Sequence, residues 1–195
     1  MKKTIIGSVI VCLGLTVYGL SNFEKSEEPA KVVQGHLNGV ADFSNDKILV
    51  GSSNNVFIGD VVREKGNKSL DGSPETQFTV KVIENLKGNL EGEVTVNQFG
   101  GYDEDESGNK VLLLYNNDEL LEEGEKYLFA TRHLESEDWH TVINTYGTVK
   151  IDDSHEMYSL VKRMTSALKA PIVPEAFSDK SNYNNKENLN KSTVE

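Results

Sequence analysis

The stretch from Thr76 to Gly101 constrains the fold most, because it predicts two strands joined by a short connection. Apolar and polar residues alternate in the first strand, with Phe78, Val80 and Val82 on one face, which is the period of a half-buried strand. The second strand begins at Glu93 after a glycine-marked turn, a spacing typical of a hairpin. The pattern indicates a fold organised around this β-hairpin.

Further strands are predicted on both sides of the hairpin. Residues 55–64 form the first, and Gly59 interrupts its alternation, which predicts a bulge. Residues 126–133 and 139–151 form the last two, and Gly147 breaks the second of them. About five coiled, glycine-broken strands favour a small barrel over a sandwich, which needs more strands.

One amphipathic helix follows the strands. Asp153 is a capping residue with Glu156 three positions later, the arrangement of a capping box, and the predicted helix spans residues 153–169 before Pro171 ends it. Its apolar residues lie at helical spacing on one face that packs on the sheet. They are Met157, Leu160, Val161, Met164 and Leu168.

Two shorter segments are also assigned from their patterns. Asp118 is placed as the cap of a helical turn over residues 119–124 that Gly124 ends in the left-handed conformation. Residues 48–50 form a short apolar run, and 51–54 a turn. The predicted fold class is therefore mainly β, a small five-stranded OB-like barrel with one C-terminal amphipathic helix.

The two ends of the chain differ in composition from its centre. Residues 1–21 carry two lysines and then a charge-free, mostly apolar run, which predicts a signal peptide or an N-terminal membrane anchor. Residues 22–46 are predicted to be a polar tether, 47–174 the barrel domain and 175–195 a disordered polar tail. The chain is thus expected outside the cytoplasm, anchored by its N-terminus or secreted.

Charge and cysteine content exclude several functions. A net charge of −11 without clustered lysine and arginine argues against a nucleic-acid partner, and it leaves the N-terminal segment as the only expected membrane contact. The only cysteine is Cys12, so the barrel has no thiol for a disulfide, a zinc site or catalysis. We expect a single-domain monomer held together by its core.

Three sequence pieces resemble a known module. They are VFIGDVV at residues 56–62, VKVIENLKG at 80–88 and LLEEGEKYLFA at 120–130. Their order and spacing resemble the netrin-like module and the tissue inhibitors of metalloproteinases, in a cysteine-free, bacterial-type exported form. The resemblance implies an OB barrel, a strand ending in Lys-Gly and a Gly-x-x-Tyr-Leu strand.

The resemblance does not extend to the inhibitory residues. The inhibitors use an N-terminal cysteine and disulfides that this chain, with Cys12 alone, does not have. Since no catalytic constellation is found either, the sequence predicts a non-enzymatic binding module of the cell envelope or extracellular space, with an envelope protein or ligand as partner. The alternative prediction is a secreted inhibitor of an extracellular protease.

An acidic loop is the one candidate metal site with a mechanism. Asp103, Asp105, Ser107 and Asn109 alternate as oxygen ligands would at the start of a calcium loop, but Leu114 stands where a bidentate Glu is needed. Weak calcium binding is the hypothesis, and a solvated turn is the alternative. No other cofactor is predicted.

Histidines and aromatic residues give two further hypotheses. His133 and His140 are nearly symmetric about a turn, so they are expected to approach one another, and a shared metal is weighed against ordinary histidines. Four aromatic residues are weighed as a binding face or as core: Phe99, Tyr102, Trp139 and Tyr146.

Overall fold

The computed structural model describes residues 30–177 except 38 and 71. The predicted signal peptide or anchor over residues 1–21 lies outside the described residues, and so does the predicted tail from residue 178 onward. Among the residues that are described, no helix is both long and apolar enough to cross a membrane.

The described residues form nine strands, two α-helices and one short 3-10 helix. The strands are β1 (Lys31–Gly35), β2 (Asn55–Asn67), β3 (Glu75–Lys87), β4 (Glu93–Phe99), β5 (Gly101–Glu104), β6 (Lys110–Tyr115), β7 (Lys126–Leu134), β8 (Trp139–Val142) and β9 (Thr148–Lys150). The helices are α1 (Asp46–Ser52) and α2 (Ser154–Ala167), and the 3-10 helix is Glu175–Phe177.

Five strands close into a barrel. They pair in the order β2, β3, β4, β8, β7, and β7 pairs again with β2, so the ring has no free edge. All pairs are antiparallel except β4 with β8, which is parallel. The predicted mainly β fold, a five-stranded OB-like barrel with one C-terminal amphipathic helix, is confirmed.

The central hairpin is present as predicted. Strand β3 pairs with β4 so that Phe78 lies opposite Val96 and Val80 opposite Val94. Phe78, Val80 and Val96 are buried inside the barrel, and Val94 packs against them. The alternating pattern therefore identified the inner face of the wall correctly.

Gly59 marks a bulge, as its position in the sequence predicts. The register between β2 and β3 shifts at Ile58 and Gly59. A Cβ at Gly59 would stand 2.5 Å from Cγ1 of Val80, so a larger residue fits there only if this buried side chain moves. The packing of Val80 in the inner core is what favours glycine here.

Two hydrophobic cores lie on opposite faces of the barrel wall. The inner core fills the barrel and is centred on the stacked rings of Phe57 and Phe129, whose centroids are 5.0 Å apart. The outer core lies between the wall and the helices, and it receives Val56 and Ile58 from β2 and Leu128 from β7. Both faces of these two strands are thus buried.

Helix α2 covers the outer core. The Asp153 side chain caps it by accepting a hydrogen bond from the Glu156 amide at 2.8 Å, as the capping box predicts. The Glu156 carboxylate accepts in turn from the Asp152 amide. Leu160 and Met164 are buried on the inner face of the helix, as the apolar spacing predicts.

Helix α1 occupies the segment that the sequence assigns to a short apolar run and a turn. Asn45 caps its first turn by accepting from the Lys47 amide at 3.0 Å. At its other end, Nζ of Lys87 donates to the carbonyl oxygens of Val50 and Ser53. This long-range cap comes from β3, so the local sequence around α1 does not contain it.

The helical turn predicted over residues 119–124 is wrong, since these residues are not helical. The Gln98 side chain pairs with the backbone of this segment by accepting from the Leu121 amide and donating to the Glu119 carbonyl. Asp118 bonds to the amide of Thr145 and caps no helix. Gly124 does have the left-handed conformation, with φ of +84°.

A second, three-stranded sheet differs from the tether prediction. Strand β1 lies within residues 22–46, yet it pairs in parallel with β6, which pairs with β5. The backbone of β6 therefore provides the hydrogen-bonding partners that give residues 31–35 a strand conformation. The predicted tail also differs at its start, because Phe177 is buried in the 3-10 helix.

Replacing Asp153 by Ala should lower the free energy of unfolding by about 0.5–2 kcal/mol, because the Glu156 amide then loses its acceptor. Denaturant unfolding at equal slope measures the change. Asp152→Ala is the matched control, since the neighbouring exposed carboxylate does not cap the helix. Equal midpoints for the Asp153 variant and the unmodified protein would contradict the capping role.

Replacing Leu160 by Ala should cost about 2–5 kcal/mol, because it leaves a cavity in the outer core. Tyr158→Ala is the control on the same helix, since this side chain is exposed and should cost less than about 0.5 kcal/mol. Similar losses for the two variants would show that α2 does not bury the face described.

Candidate functional site

A cavity of about 480 Å³ lies at one end of the barrel, outside its wall. The segment that follows β1 forms one side, the ends of β7 and β8 form the floor, and the turns after β6 and β8 complete the rim. Its lining residues are His36, Leu37, Gly39, Val40, Ala41, Asp42, Phe43, Phe99, Asn116, Asn117, Arg132, Thr141, Val142, Ile143, Asn144, Thr145 and Tyr146.

Asn116 holds three sides of this cavity together. Its Oδ1 accepts from the Leu37 amide and its Nδ2 donates to the Leu37 carbonyl, both at 3.1 Å. Nδ2 also donates to Oγ1 of Thr145 at 3.1 Å. One amide side chain therefore joins the segment after β1 to the turn after β8.

Thr145 has a conformation that β-branched residues rarely adopt. Its φ is +69°, in the left-handed region. The surroundings hold it there, since the Asp118 carboxylate accepts from its amide at 2.8 Å and Asn116 bonds to its hydroxyl. Such strain, of order 1–3 kcal/mol, concentrates at binding sites, where it fixes a loop in a required shape.

Burial affects the ionisation of Asp118. Desolvation raises the pKa of this carboxyl group above its ordinary value, and the hydrogen bond from the Thr145 amide opposes that rise. Asp118 thus accepts the hydrogen bond from the Thr145 amide at a partly buried position behind the cavity lining.

Arg132 forms part of the cavity wall and is buried. Its Nε donates to the Ser52 carbonyl at 3.0 Å, at the end of α1. The guanidinium carbon lies 3.5 Å from the centroid of the Phe177 ring and 5.9 Å from that of Phe43, so two aromatic rings contact the cation. These contacts explain why Phe177 is ordered although the sequence around it is polar.

The mouth of the cavity exposes apolar side chains. Val40 and Tyr146 both line the cavity and each keeps 44 % of its surface exposed. An aromatic residue exposed beside a concave apolar surface is typical of a ligand site. No protein-family model matches this chain, and no curated protein matches it.

The structure divides the four aromatic residues singled out in the sequence. Phe99 and Tyr146 line the cavity. Trp139 is buried on β8, with Nζ of Lys68 at 4.9 Å from its ring centroid, and Tyr102 is exposed on β5 beneath Lys110. They do not form one face.

Sequence reasoning missed most of the cavity. Asn116, Thr145 and Arg132 come from segments far apart in the chain, and no local pattern joins them. The pair Asn116-Asn117 is the sequence signal that could have indicated a tight turn here. Asparagine adopts positive φ more readily than most non-glycine residues, and both residues do so in this structure.

His133 and His140 meet across β7 and β8, as predicted. They are register partners, and their rings stack with centroids 4.7 Å apart. Nε2 of His133 lies 3.3 Å from Oδ1 of Asp138, and Nδ1 of His140 lies 3.3 Å from Nδ2 of Asn55. Within the described residues, no group of three or more histidines, cysteines and carboxylates is arranged to hold a metal ion.

His140 is held neutral. The pKa of His140 is lowered from 6.5 to about 4, mainly by burial and also by the neighbouring His133, while Asp138 acts in the opposite direction. Because the Asn55 amide nitrogen can only donate, Nδ1 of His140 accepts and the ring proton resides on Nε2. The two rings therefore form a packed contact in which the His140 ring is neutral.

The acidic loop forms the tip of the hairpin between β5 and β6. Oδ1 of Asp105 accepts from the amides of Ser107 and Asn109, and the Asn109 side chain donates to both of its oxygens. These bonds, chiefly the one from the Asn109 amide, lower the pKa of Asp105. Asp103 lies on β5 and accepts from the Glu104 amide. Calcium binding stays a prediction.

The stability of the protein should fall as the pH drops from about 6.5 to 4. In this window the unfolded chain protonates His140 and the folded chain does not, so protonation favours unfolding; above it the contribution is constant. His140→Gln should reduce this dependence, measured as the free energy of unfolding at each pH.

His155→Gln is the control for that measurement, since His155 is exposed on α2. It should leave the pH dependence unchanged. A His140→Gln protein with the same slope as the unmodified one would mean that the buried ring does not carry the effect.

Proposed function

We propose that this chain is an exported, non-enzymatic binding module whose ligand occupies the cavity at the end of its OB-like barrel. The observation that carries this proposal is the construction of the cavity. Asn116 and Asp118 hold the strained turn at Thr145, and Asn116 also fixes the segment at Leu37. A fixed, largely pre-formed cavity lowers the entropy cost of binding.

The lining indicates the kind of ligand. The lining combines apolar side chains such as Val40, Phe99 and Ile143 with polar groups such as Thr141 and Asn144. Sites of this composition take molecules, or side chains of a partner, that are mainly apolar and carry a few hydrogen-bonding groups. We therefore expect a partly apolar ligand.

Export is supported by the sequence of residues 1–21, where two lysines precede an apolar run of signal-peptide or anchor type. The acidic charge of the chain supports a partner other than nucleic acid. On this proposal the module works outside the cytoplasm, either anchored by its N-terminus or secreted, on an envelope protein or ligand.

The motifs that resemble protease inhibitors have roles in the fold here. Lys87 caps α1, and a Cβ at Gly88, where φ is +88°, would collide with Oδ1 of Asn55. The Gly124 amide donates to the Val61 carbonyl, and the Tyr127 hydroxyl accepts from the Glu122 amide. These positions support the barrel, so the protease-inhibitor alternative stays a prediction that rests on resemblance.

Filling the cavity tests the proposal. A segment beginning at Asn22, which omits only the predicted leader, is titrated with the fluorescent probe 1-anilinonaphthalene-8-sulfonate, which is apolar with one sulfonate. The unmodified protein should bind about one equivalent and gain thermal stability. Ala41→Trp should weaken binding about tenfold or more, because the indole occupies the cavity.

Ala170→Trp is the matched control, because Ala170 is exposed beyond the end of α2. It should bind the probe like the unmodified protein, and all three proteins should melt cooperatively, which separates cavity binding from binding to loosened protein. Equal binding by the two tryptophan variants, or no binding by the unmodified protein, would contradict the assignment.

A further inference from the structure

A second concave surface lies between α1 and α2, away from the cavity of the proposed function. We call this surface, which encloses about 750 Å³, the helical groove. From α2 it receives Ser159, Lys162, Arg163 and Ser166, which are spaced three or four residues apart and so lie along one exposed stripe of that helix. Lys47 lines it from α1.

The helical groove is basic although the chain is strongly acidic. The chain carries a net charge of −11, yet the groove is lined by Lys47, Lys162 and Arg163 and by one carboxylate, Asp46. Oδ2 of Asp46 lies 3.1 Å from Nε of Arg163, so that carboxylate is already paired. Among the residues that the structure describes, neither Lys47 nor Lys162 forms an ion pair. The groove therefore presents uncompensated positive charge on both of its walls.

Exposed apolar side chains lie at the end of the groove. Ile172 lines it and keeps 46 % of its surface exposed, and the adjacent Val173 keeps 48 %. Their segment is fixed in place, since the Ile172 amide donates to the Lys47 carbonyl at 2.9 Å. A Cβ at Gly51 would collide with the Ile172 carbonyl, so the segment lies tightly against α1. Two apolar side chains are thus held in solvent next to three cations.

We propose that the helical groove is the docking site for an acidic segment of a partner polypeptide that carries an apolar side chain beside its carboxylates. The carboxylates would pair with Lys47 and Lys162 on the opposite walls, and the apolar side chain would cover Ile172. The concave shape and the cations on both walls suit an extended chain lying between the helices, whereas binding to an anionic membrane surface typically needs a cluster of about four to eight lysines and arginines. This inference does not depend on the cavity of the proposed function.

Charge reversal tests the proposal. The full chain, kept in a nonionic detergent, is titrated into a fluorescein-labelled peptide of glutamate and leucine, and fluorescence anisotropy reports binding. A glutamine–leucine peptide of equal length measures binding that does not need charge. The acidic peptide should bind more tightly than the glutamine peptide, and added salt should weaken its binding as the charges are screened.

Lys47→Glu combined with Lys162→Glu should weaken binding of the acidic peptide about tenfold or more. Lys65→Glu combined with Lys81→Glu is the matched control, because both lysines are exposed on the barrel and the variant has the same net charge. The control should change the affinity less than about twofold. Thermal melting verifies that both variants fold, as expected for exposed lysines without ion pairs.

Three results would overturn the proposal. They are equal affinity for the acidic and glutamine peptides, equal weakening by the two double variants, and displacement of the peptide when phosphatidylglycerol is added to the micelles at equimolar amounts. The last result would assign the helical groove to an anionic lipid.

Discussion

The pairing of β2 with β7 is the interaction on which the rest of the structure depends. It closes the barrel, and side chains of these two strands supply both the inner core and the outer core. Phe57 and Phe129 stack inside, while Val56, Ile58 and Leu128 hold α1 and α2 outside. The residues of β2 and β7 that pair lie about 70 residues apart in sequence. The chain must therefore close a long loop before the inner core or the outer core can form. Both proposed binding surfaces depend on this wall, because the cavity lies on its outer side and the helical groove lies on the helices that pack against it.

Sequence patterns predicted the elements whose signals are local. The alternation around Phe78 and Val80 identified the inner face of the barrel, Gly59 identified a bulge, and Asp153 identified the start of α2. The failures share a cause. The helical turn over residues 119–124 was displaced by the side chain of Gln98, and the end of α1 is capped by Lys87, so in both cases a residue distant in sequence supplied the hydrogen bonds.

The cavity illustrates the same limit for function. Two of its aromatic residues were noticed in the sequence, but the network of Asn116, Leu37 and Thr145 was not, because its bonds span 29 and 79 residues. The histidine pair was found because a hairpin places its two strands in register by simple symmetry. A pattern within neighbouring residues can be recognised in the sequence. A site formed by loops from three distant parts of the chain can be recognised only once the fold is known.

The parallel pairing of β1 with β6 has a mechanical consequence. β1 is the first strand of the described chain, and its partners run in the same direction from Lys31 opposite Val111 to Gly35 opposite Tyr115. A pull along β1 from its N-terminal side therefore loads these hydrogen bonds together, in shear, and they do not open one after another. The load then reaches Leu37, which Asn116 clamps to the rim of the cavity. Tension on β1 and the shape of the cavity are thus coupled through Asn116, whose backbone amide also donates to the Gly35 carbonyl at the end of that strand.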